Sequence, residues 1–256
     1  MLLIFLLKVC GLSAEGLLEM SIEAYKKEQR DVQDYKMIYS YGYERDGLRA
    51  KIFKGVNKVV IAIKGTTLYF HGIGLGPTGH KDREMDNLMF WVCPKGEEDC
   101  EYKKKVKIDK LKYIYDLEKI IRTAKKVFQE EIILTGHSLG GALASLMGQK
   151  FDLQAIAFSS PGEKYISEVL GFRYTNTKIL HIGICEDSLY VGDCGYLCSL
   201  MGYSINTTCH LGQTVCLRVQ ETENIIENVK YHRAEVLLEQ LQKKETKKFE
   251  IECKGY

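Results

Sequence analysis

The chain has 256 residues, 45% of them hydrophobic, which is enough for one large domain with a substantial buried core. Its 36 basic and 34 acidic side chains nearly balance, at a formal net charge of +2, so the composition argues against a nucleic-acid-binding protein. No stretch approaches the ~18 consecutive apolar residues typical of a membrane-spanning helix.

The first residues, MLLIFLLKVCGLSAEG, are similar to a short secretory signal peptide. An apolar run is followed by small residues at positions 11–14, although Lys8 interrupts the run and no basic residue precedes it. We therefore predict a signal peptide over residues 1–14, a single domain over residues 15–256, and entry into the secretory pathway.

Cysteine usage agrees with export. Without Cys10, the nine cysteines leave an even set of eight, namely Cys93, Cys100, Cys185, Cys194, Cys198, Cys209, Cys216 and Cys253. In an exported chain this predicts disulfide bonds, although the pairing is not deducible and a pair such as Cys93 with Cys100 is a guess. A zinc site of Cys194, Cys198, Cys209 and His210 is the alternative. Asn206 begins a glycosylation sequon, Asn-Thr-Thr.

Hydrophobic periodicity predicts helices that alternate with strands. The predicted helices cover Ala14 to Lys36, Ile108 to Gln129, Leu139 to Lys150 and Lys230 to Lys244. The predicted strands cover LRAKIFK, KVVIAIKG, EIILTG, LQAIAF and TKILHIGI, and a glycine-rich irregular segment runs from Gly65 to Asp99. This alternation indicates an α/β fold with a mostly parallel central sheet flanked by helices.

Two segments have both an ordinary and a functional interpretation. Lysines at positions 103, 104, 105, 107, 110 and 112 form either the solvated face of a helix or a patch attracted to an anionic membrane. GLGPTG, at positions 74–79, fits a dinucleotide-binding fingerprint, but it does not directly follow a strand and it contains Pro77. We interpret it as a loop and predict no cofactor and no metal ion.

The stretch ILTGHSLGGALASL joins a strand to a helix through Gly-His-Ser-Leu-Gly. Gly136 and Gly140 leave room where a β-carbon would clash, and Ser138 is expected on a strained backbone at the carboxyl edge of the sheet. The helix that starts there favours negative charge beside the hydroxyl. The pattern predicts Ser138 as a nucleophile, although a serine that caps a helix is the simpler reading.

A serine hydroxyl needs a base, and the base needs an acid to orient it. ILHIGICED ends at Asp187, where the acid is expected, with Glu186 and Asp193 as fallback candidates. His232 follows the acid at the start of the last helix and is the predicted base, with His210 as the alternative. Of the other histidines, His71 and His80 precede the serine, His137 should point away from it, and His181 is expected to be a packing residue.

The remaining requirement is a pair of donors for the negatively charged oxygen of an acyl-transfer intermediate. The residue after the nucleophile, Leu139, should supply its backbone N–H. Thr66 follows the early strand VVIAIKG and offers both a backbone N–H and a hydroxyl.

IAIKGTT, ILTGHSLGGALASLMG, LQAIAFSSPGE, CEDSLYVGDC, CSLMGYSINTTCHLGQTVC and YHR resemble the class 3 lipase family, and among its members the autophagy-related vacuolar lipases of fungi. The resemblance implies an α/β-hydrolase fold with disulfide-bearing loops near the active site. It also implies that Ser138, Asp187 and His232 are nucleophile, acid and base. Ser188 stands where relatives usually have proline, and only Cys93 and Cys100 remain of an upstream cysteine cluster.

The resemblance implies a hydrolase of lipid carboxylic esters, triacylglycerol or membrane phospholipid, that works through an acyl-enzyme on Ser138. It implies transient contact with a membrane or lipid-droplet surface, and secretion or delivery to a vacuole or lytic compartment. The alternatives are a thioesterase, acyltransferase or peptidase on the same fold, or an inactive lipid-binding module. The loop from Leu68 to Met89, with apolar residues at 69, 70, 73 and 75, is predicted to be a mobile lid.

Overall fold

The computed structural model describes residues 12–67, 78–172, 178–192, 194, 198, 202–219, 230–243, 247–251 and 253. The strands are β1 (Lys36–Tyr41), β2 (Ala50–Lys54), β3 (Lys58–Ile63), β4 (Glu131–His137), β5 (Gln154–Phe158), β6 (Ile179–Ile184), β7 (Gln213–Arg218) and β8 (Lys247–Phe249). The helices are α1 (Ala14–Glu23), α2 (Gly79–Phe90), α3 (Glu98–Leu111), α4 (Tyr113–Val127), α5 (Leu139–Phe151), α6 (Lys164–Val169) and α7 (Ala234–Gln242), with a 3₁₀ turn at Lys230–His232.

All eight strands form one sheet in which each strand pairs with its neighbours in the chain, from β1 to β8. The pairings from β3 through β7 are parallel, and those at the two edges are antiparallel. Parallel neighbours require crossover connections, which run through α2 to α4 between β3 and β4, through α5 between β4 and β5, and through α6 between β5 and β6. The predicted α/β architecture with a mostly parallel sheet is confirmed.

Both faces of the sheet are covered, as β3 illustrates. Val59 and Ile61 belong to the apolar cluster that includes Leu143 of α5. Val60, which alternates with them, belongs to the opposite cluster with Leu18 of α1. Strands covered on both sides read as nearly continuous apolar runs, which explains why KVVIAI shows no polar alternation. The carboxyl ends of these buried strands are therefore held rigidly.

The predicted helix from Ala14 to Lys36 is wrong in its second half. Helix α1 begins after Ser13, whose Oγ accepts the N–H of Gly16 at 3.1 Å, and it ends at Glu23. Residues 26–31 are polar and exposed, so they have no apolar face to bury as a helix. The chain continues into the edge strand β1. Residues 1–11 lie outside the described part, and the signal-peptide boundary stays a prediction.

The segment from Gly65 to Asp99 was expected to be irregular, but it contains helix α2. Its apolar face carries Met85 and Met89 together with two buried carboxyl groups, Asp82 and Asp86. Acidic residues at core positions hide the helical period of the apolar residues. The lid residues at 69, 70, 73 and 75 lie outside the described residues, so the lid stays a prediction.

The predicted helix Ile108 to Gln129 is two helices, because α3 ends at Leu111 and α4 begins at Tyr113. Lys112 between them has φ 62°, a left-handed conformation that ends an α-helix. Helices that end on a left-handed residue usually have glycine or asparagine at that position. A lysine at position 112 therefore did not indicate a helix end in the sequence. Strands β1, β7 and β8 were not predicted either.

The eight cysteines form four disulfide bonds, Cys93–Cys100, Cys185–Cys216, Cys194–Cys198 and Cys209–Cys253. The guess that Cys93 pairs with Cys100 is confirmed. The zinc site proposed from the cysteines is wrong, because three of its four ligands are consumed in disulfides. Across the described residues, no helix combines the length and the apolar composition that a membrane span requires.

The lysine cluster lies mostly on helix α3, and five of its six side chains are exposed. Lys104 is buried instead, and its Nζ donates to the carbonyl oxygens of Leu88 and Trp91 at the end of α2. Burial lowers the pKa of Lys104 to about 8. Lys104 thus caps a helix, and the expectation of a solvated face holds only for the other five lysines.

Candidate active site

Ser138 lies in the turn between strand β4 and helix α5, at φ 57° and ψ −129°. This conformation is costly for a residue with a side chain, by about 1–3 kcal/mol, and it persists only because the surroundings impose it. A β-carbon on Gly136 would lie 2.4 Å from the backbone of Gly140, and one on Gly140 would lie 2.2 Å from the carbonyl oxygen of Ile63. The two glycines therefore allow β4, α5 and the end of β3 to meet at Ser138.

The three residues predicted as nucleophile, acid and base lie in one hydrogen-bonded chain. His232 Nε2 is 2.8 Å from Ser138 Oγ. Its Nδ1 is 2.9 Å from Oδ2 and 3.2 Å from Oδ1 of Asp187. The acid and the base are 45 residues apart, and the base and the serine 94. Such an arrangement can remove the hydroxyl proton while a substrate carbonyl is attacked.

Asp187 is fully buried in the turn after β6. Its Oδ1 accepts the backbone N–H groups of Leu189 at 3.0 Å and Tyr190 at 3.3 Å. These bonds fix the carboxylate so that it faces the imidazole of His232, which is itself only 5% exposed. Charge-assisted hydrogen bonds of this kind are about twice as strong as neutral ones. The Asp187 carboxylate is therefore held in a fixed orientation toward His232.

The His137 ring contacts Tyr25 and the main chain of His232, a positioning role that the sequence did not reveal. The Tyr25 hydroxyl donates to its Nδ1 at 2.9 Å, and its Nε2–H donates to the backbone carbonyl of His232 at 2.7 Å. Burial and the neighbouring His232 lower the pKa of His137 to about 3, so the ring is neutral near pH 7. The residue before the nucleophile thus holds the main chain of the base.

Thr66 follows β3 in a short segment anchored to α2. The Nζ of Lys64 donates to Asp82 Oδ2 at 2.9 Å, and the same oxygen accepts the N–H of Thr67 at 3.0 Å. Asp82 Oδ1 accepts the hydroxyl of Tyr113 at 2.6 Å. Lys64 and Asp82 are both buried, so this ion pair is weakly screened by solvent. It fixes the segment on either side of Thr66.

The Thr66 hydroxyl forms a hydrogen bond with a buried carboxyl group, because its Oγ1 is 2.5 Å from Asp86 Oδ2. Burial raises the pKa of the Asp86 carboxyl well above its usual range, which favours the neutral acid. The Thr66 hydroxyl donates to Asp86, and this bond holds the Thr66 side chain in one orientation. Asp82 and Asp86, four residues apart and both buried on helix α2, were the signal that sequence reasoning overlooked.

We expect Asp86→Asn to keep at least about a third of the wild-type kcat on a soluble ester, because an amide oxygen also accepts the Thr66 hydroxyl. Asp86→Ala should lose roughly 10- to 100-fold, since the hydroxyl is then no longer held. Initial rates of the two variants at pH 7 test the contrast, with equal urea midpoints as the control for folding. Equal rates for the two variants would contradict this arrangement.

The remaining candidates lie elsewhere. Glu186 Oε2 accepts the N–H of Val219 at 3.3 Å, and Asp193 and His71 lie outside the described residues. His80 is exposed on α2.

His181 and His210 form a separate buried cluster with Glu163, so neither substitutes for His232 as the base. Leu139 is buried at the first position of α5, and Asn206 is exposed, which suits the predicted glycosylation.

Residues 103–161 match the family described as lipase (class 3). The protein named Putative lipase ATG15 of Candida albicans is 34% identical over 235 residues, covering 79% of this chain and 39% of that protein. Its namesake of Saccharomyces cerevisiae is 33% identical over 238 residues, covering 78% and 44%. The chain thus spans less than half the length of these two relatives.

Among solved structures, lipase II from Rhizopus niveus overlaps 81% of this chain and 79% of its own, with 14% identity and a TM-score of 0.44. The family match covers the serine turn and the strands on both sides of it, and the ATG15 relatives extend over more than three quarters of the chain. The chain belongs to the class 3 lipase family.

Proposed function

We propose that the protein is a serine hydrolase that cleaves carboxylic esters of lipids through an acyl-enzyme on Ser138. The observation that carries the proposal is the hydrogen-bonded chain from Ser138 through His232 to Asp187, with 2.8 Å and 2.9 Å separations. Membership in a lipase family supports the substrate class. Triacylglycerol and membrane phospholipid are the proposed substrates.

In the proposed reaction, His232 Nε2 takes the proton of Ser138 as Oγ attacks the ester carbonyl carbon. Asp187 stabilises the imidazolium that forms. The backbone N–H groups of Leu139 and Thr66 stabilise the oxyanion. The imidazolium then protonates the departing alcohol. A water molecule activated by the same histidine hydrolyses the acyl-enzyme and releases the fatty acid.

The four disulfides support a chain that matures in the secretory pathway, where thiols are oxidised. The name of the fungal relatives supports a role in autophagy inside a vacuole or lytic compartment, and secretion is the other destination. Contact with a membrane or lipid-droplet surface would be transient. A thioesterase, an acyltransferase or an inactive lipid-binding module are the competing functions.

Release of fatty acid from lipid dispersions tests the proposal. The purified chain should hydrolyse emulsified long-chain triacylglycerol or phospholipid vesicles faster than a soluble short-chain ester or thioester at equal acyl concentration. Ser138→Ala should lower every rate by on the order of 10³-fold or more, because the acyl acceptor is absent. A preference for the soluble thioester would instead favour a thioesterase. Wild-type rates equal to those of Ser138→Ala would refute an enzyme of this type.

A further inference from the structure

A second cluster of ionisable side chains lies away from Ser138, beneath helix α5. It consists of Glu163 at the start of α6, His181 in β6 and His210 before β7. The side chains of these three residues are at most 1% exposed. The proposed ester hydrolysis uses none of them. A buried carboxylate between two imidazoles therefore needs its own explanation.

The ligand atoms of the three side chains converge. Glu163 Oε1 is 3.0 Å from His181 Nε2, and Oε2 is 3.6 Å from His210 Nδ1. One nitrogen from each ring and one carboxylate oxygen lie within 4.8 Å of one another. Two atoms bound at ~2.0–2.1 Å to one tetrahedral zinc ion are roughly 3.4 Å apart. The two carboxylate–imidazole separations, 3.0 Å and 3.6 Å, lie on either side of that value.

The outer nitrogen of each imidazole is held by a hydrogen bond. His210 Nε2 is 3.0 Å from the carbonyl oxygen of Tyr190, which can only accept, so this nitrogen carries the hydrogen. His181 Nδ1 is 2.9 Å from Ser160 Oγ. Metal-binding histidines characteristically use the second nitrogen in this way, which orients the ring and fixes its tautomer.

The inner atoms are left in an unfavourable contact. His210 Nδ1 faces Glu163 Oε2 at 3.6 Å, and neither atom has a hydrogen-bond partner among the described residues. Glu163 Oε1, by contrast, accepts the N–H of Leu211 at 3.2 Å and the Ser145 hydroxyl. A cation bound between Glu163 Oε2 and His210 Nδ1 would satisfy both buried atoms.

We propose that Glu163, His181 and His210 bind a divalent transition-metal cation of the zinc class. Two imidazoles and one carboxylate suit zinc better than calcium or magnesium, which prefer all-oxygen sites. The Ser145 hydroxyl, 3.3 Å from His181 Nε2, is the nearest candidate for a fourth position. Since every ligand is buried, the ion is structural and does not meet substrate.

A metal ion bound by Glu163, His181 and His210 would connect two segments of the chain close to Asp187. His210 holds the carbonyl of Tyr190, and the N–H of Tyr190 bonds to Asp187. A bound cation would therefore fix the segment after β6 that carries the acid to the segment before β7. The proposal is independent of ester hydrolysis, because metal content and thermal stability report on it without a substrate.

Metal analysis of the full, untagged chain tests the site. After equilibration with micromolar zinc and dialysis, the wild type should retain roughly one zinc ion per chain. His210→Gln should retain at least tenfold less, while His80→Gln, a matched change at an exposed histidine, should equal the wild type. Cobalt(II) in place of zinc should give the visible absorption of a tetrahedral nitrogen–oxygen site, lost in His210→Gln. Equal retention by His210→Gln and the wild type would overturn the assignment.

A second measurement on the wild type covers the case in which His210→Gln does not fold. Removal of the ion with a strong chelator should lower Tm by at least 5 °C, and zinc but not magnesium should restore it. An unchanged Tm, together with wild-type protein that retains no zinc, would overturn the proposal. A buried imidazolium would then supply the positive charge beside Glu163.

Discussion

Replacing His232 by alanine should lower kcat for ester hydrolysis by on the order of 10⁴-fold or more while the fold persists. Its Nε2 is 2.8 Å from Ser138 Oγ and it faces the carboxylate of Asp187, so its loss removes the proposed proton acceptor. Asp187→Asn should act almost as strongly, because the amide favours the wrong imidazole tautomer. Titrated fatty-acid release and the rate of labelling of Ser138 by a fluorophosphonate probe measure both effects.

The control for this experiment is His80→Ala, which removes an exposed imidazole from helix α2 and should leave rate and labelling unchanged. Circular dichroism and urea midpoints should show that the variants are folded. A folded His232→Ala protein that retains more than a tenth of the wild-type kcat would eliminate His232 as the base.

Gly140→Ala should cause a large loss in the free energy of unfolding. The new β-carbon would lie 2.2 Å from the carbonyl oxygen of Ile63 and 2.9 Å from the backbone nitrogen of Gly65, and both atoms belong to rigid main chain. We expect a loss of about 4 kcal/mol or more in the free energy of unfolding, at the extreme end for single changes. Urea denaturation followed by tryptophan fluorescence measures it.

Gly96→Ala is the matched control, because a β-carbon there meets nothing within 4 Å. Its φ of 85° still disfavours alanine, so a loss of about 1–2 kcal/mol is expected. Comparable losses in the two variants would show that the close approach at Gly140 is relieved by small shifts of β3. The steric account of the serine turn would then be wrong.

Sequence reasoning located the site residues whose signal lies within a short stretch of sequence. Gly136, Ser138 and Gly140 lie within five residues, and their strand–turn–helix context is visible in the sequence. Asp187 could be placed because it closely follows an apolar strand, and His232 because few histidines follow Asp187. Their roles remain proposals, but their positions depended on element order alone.

The contacts that support these residues were not predictable, because they join distant segments. Tyr25 and His137, which hold the main chain of His232, are 112 residues apart in sequence. Asp86 was overlooked because α2 is rich in charged residues and its segment was expected to be irregular. His181 was expected to be a packing residue, and Glu163 gave no signal until the fold brought both together with His210. Hydrophobic periodicity carries no information about such pairings.

The disulfide between Cys185 and Cys216 joins β6 to β7 two residues before Asp187. In a reducing cytosol this disulfide does not form, so Asp187 would be held in place by hydrogen bonds without the covalent link. Oxidation in the endoplasmic reticulum would complete the support for that carboxylate. Assembly of the proposed catalytic site would thereby depend on the redox state of the compartment in which the chain folds.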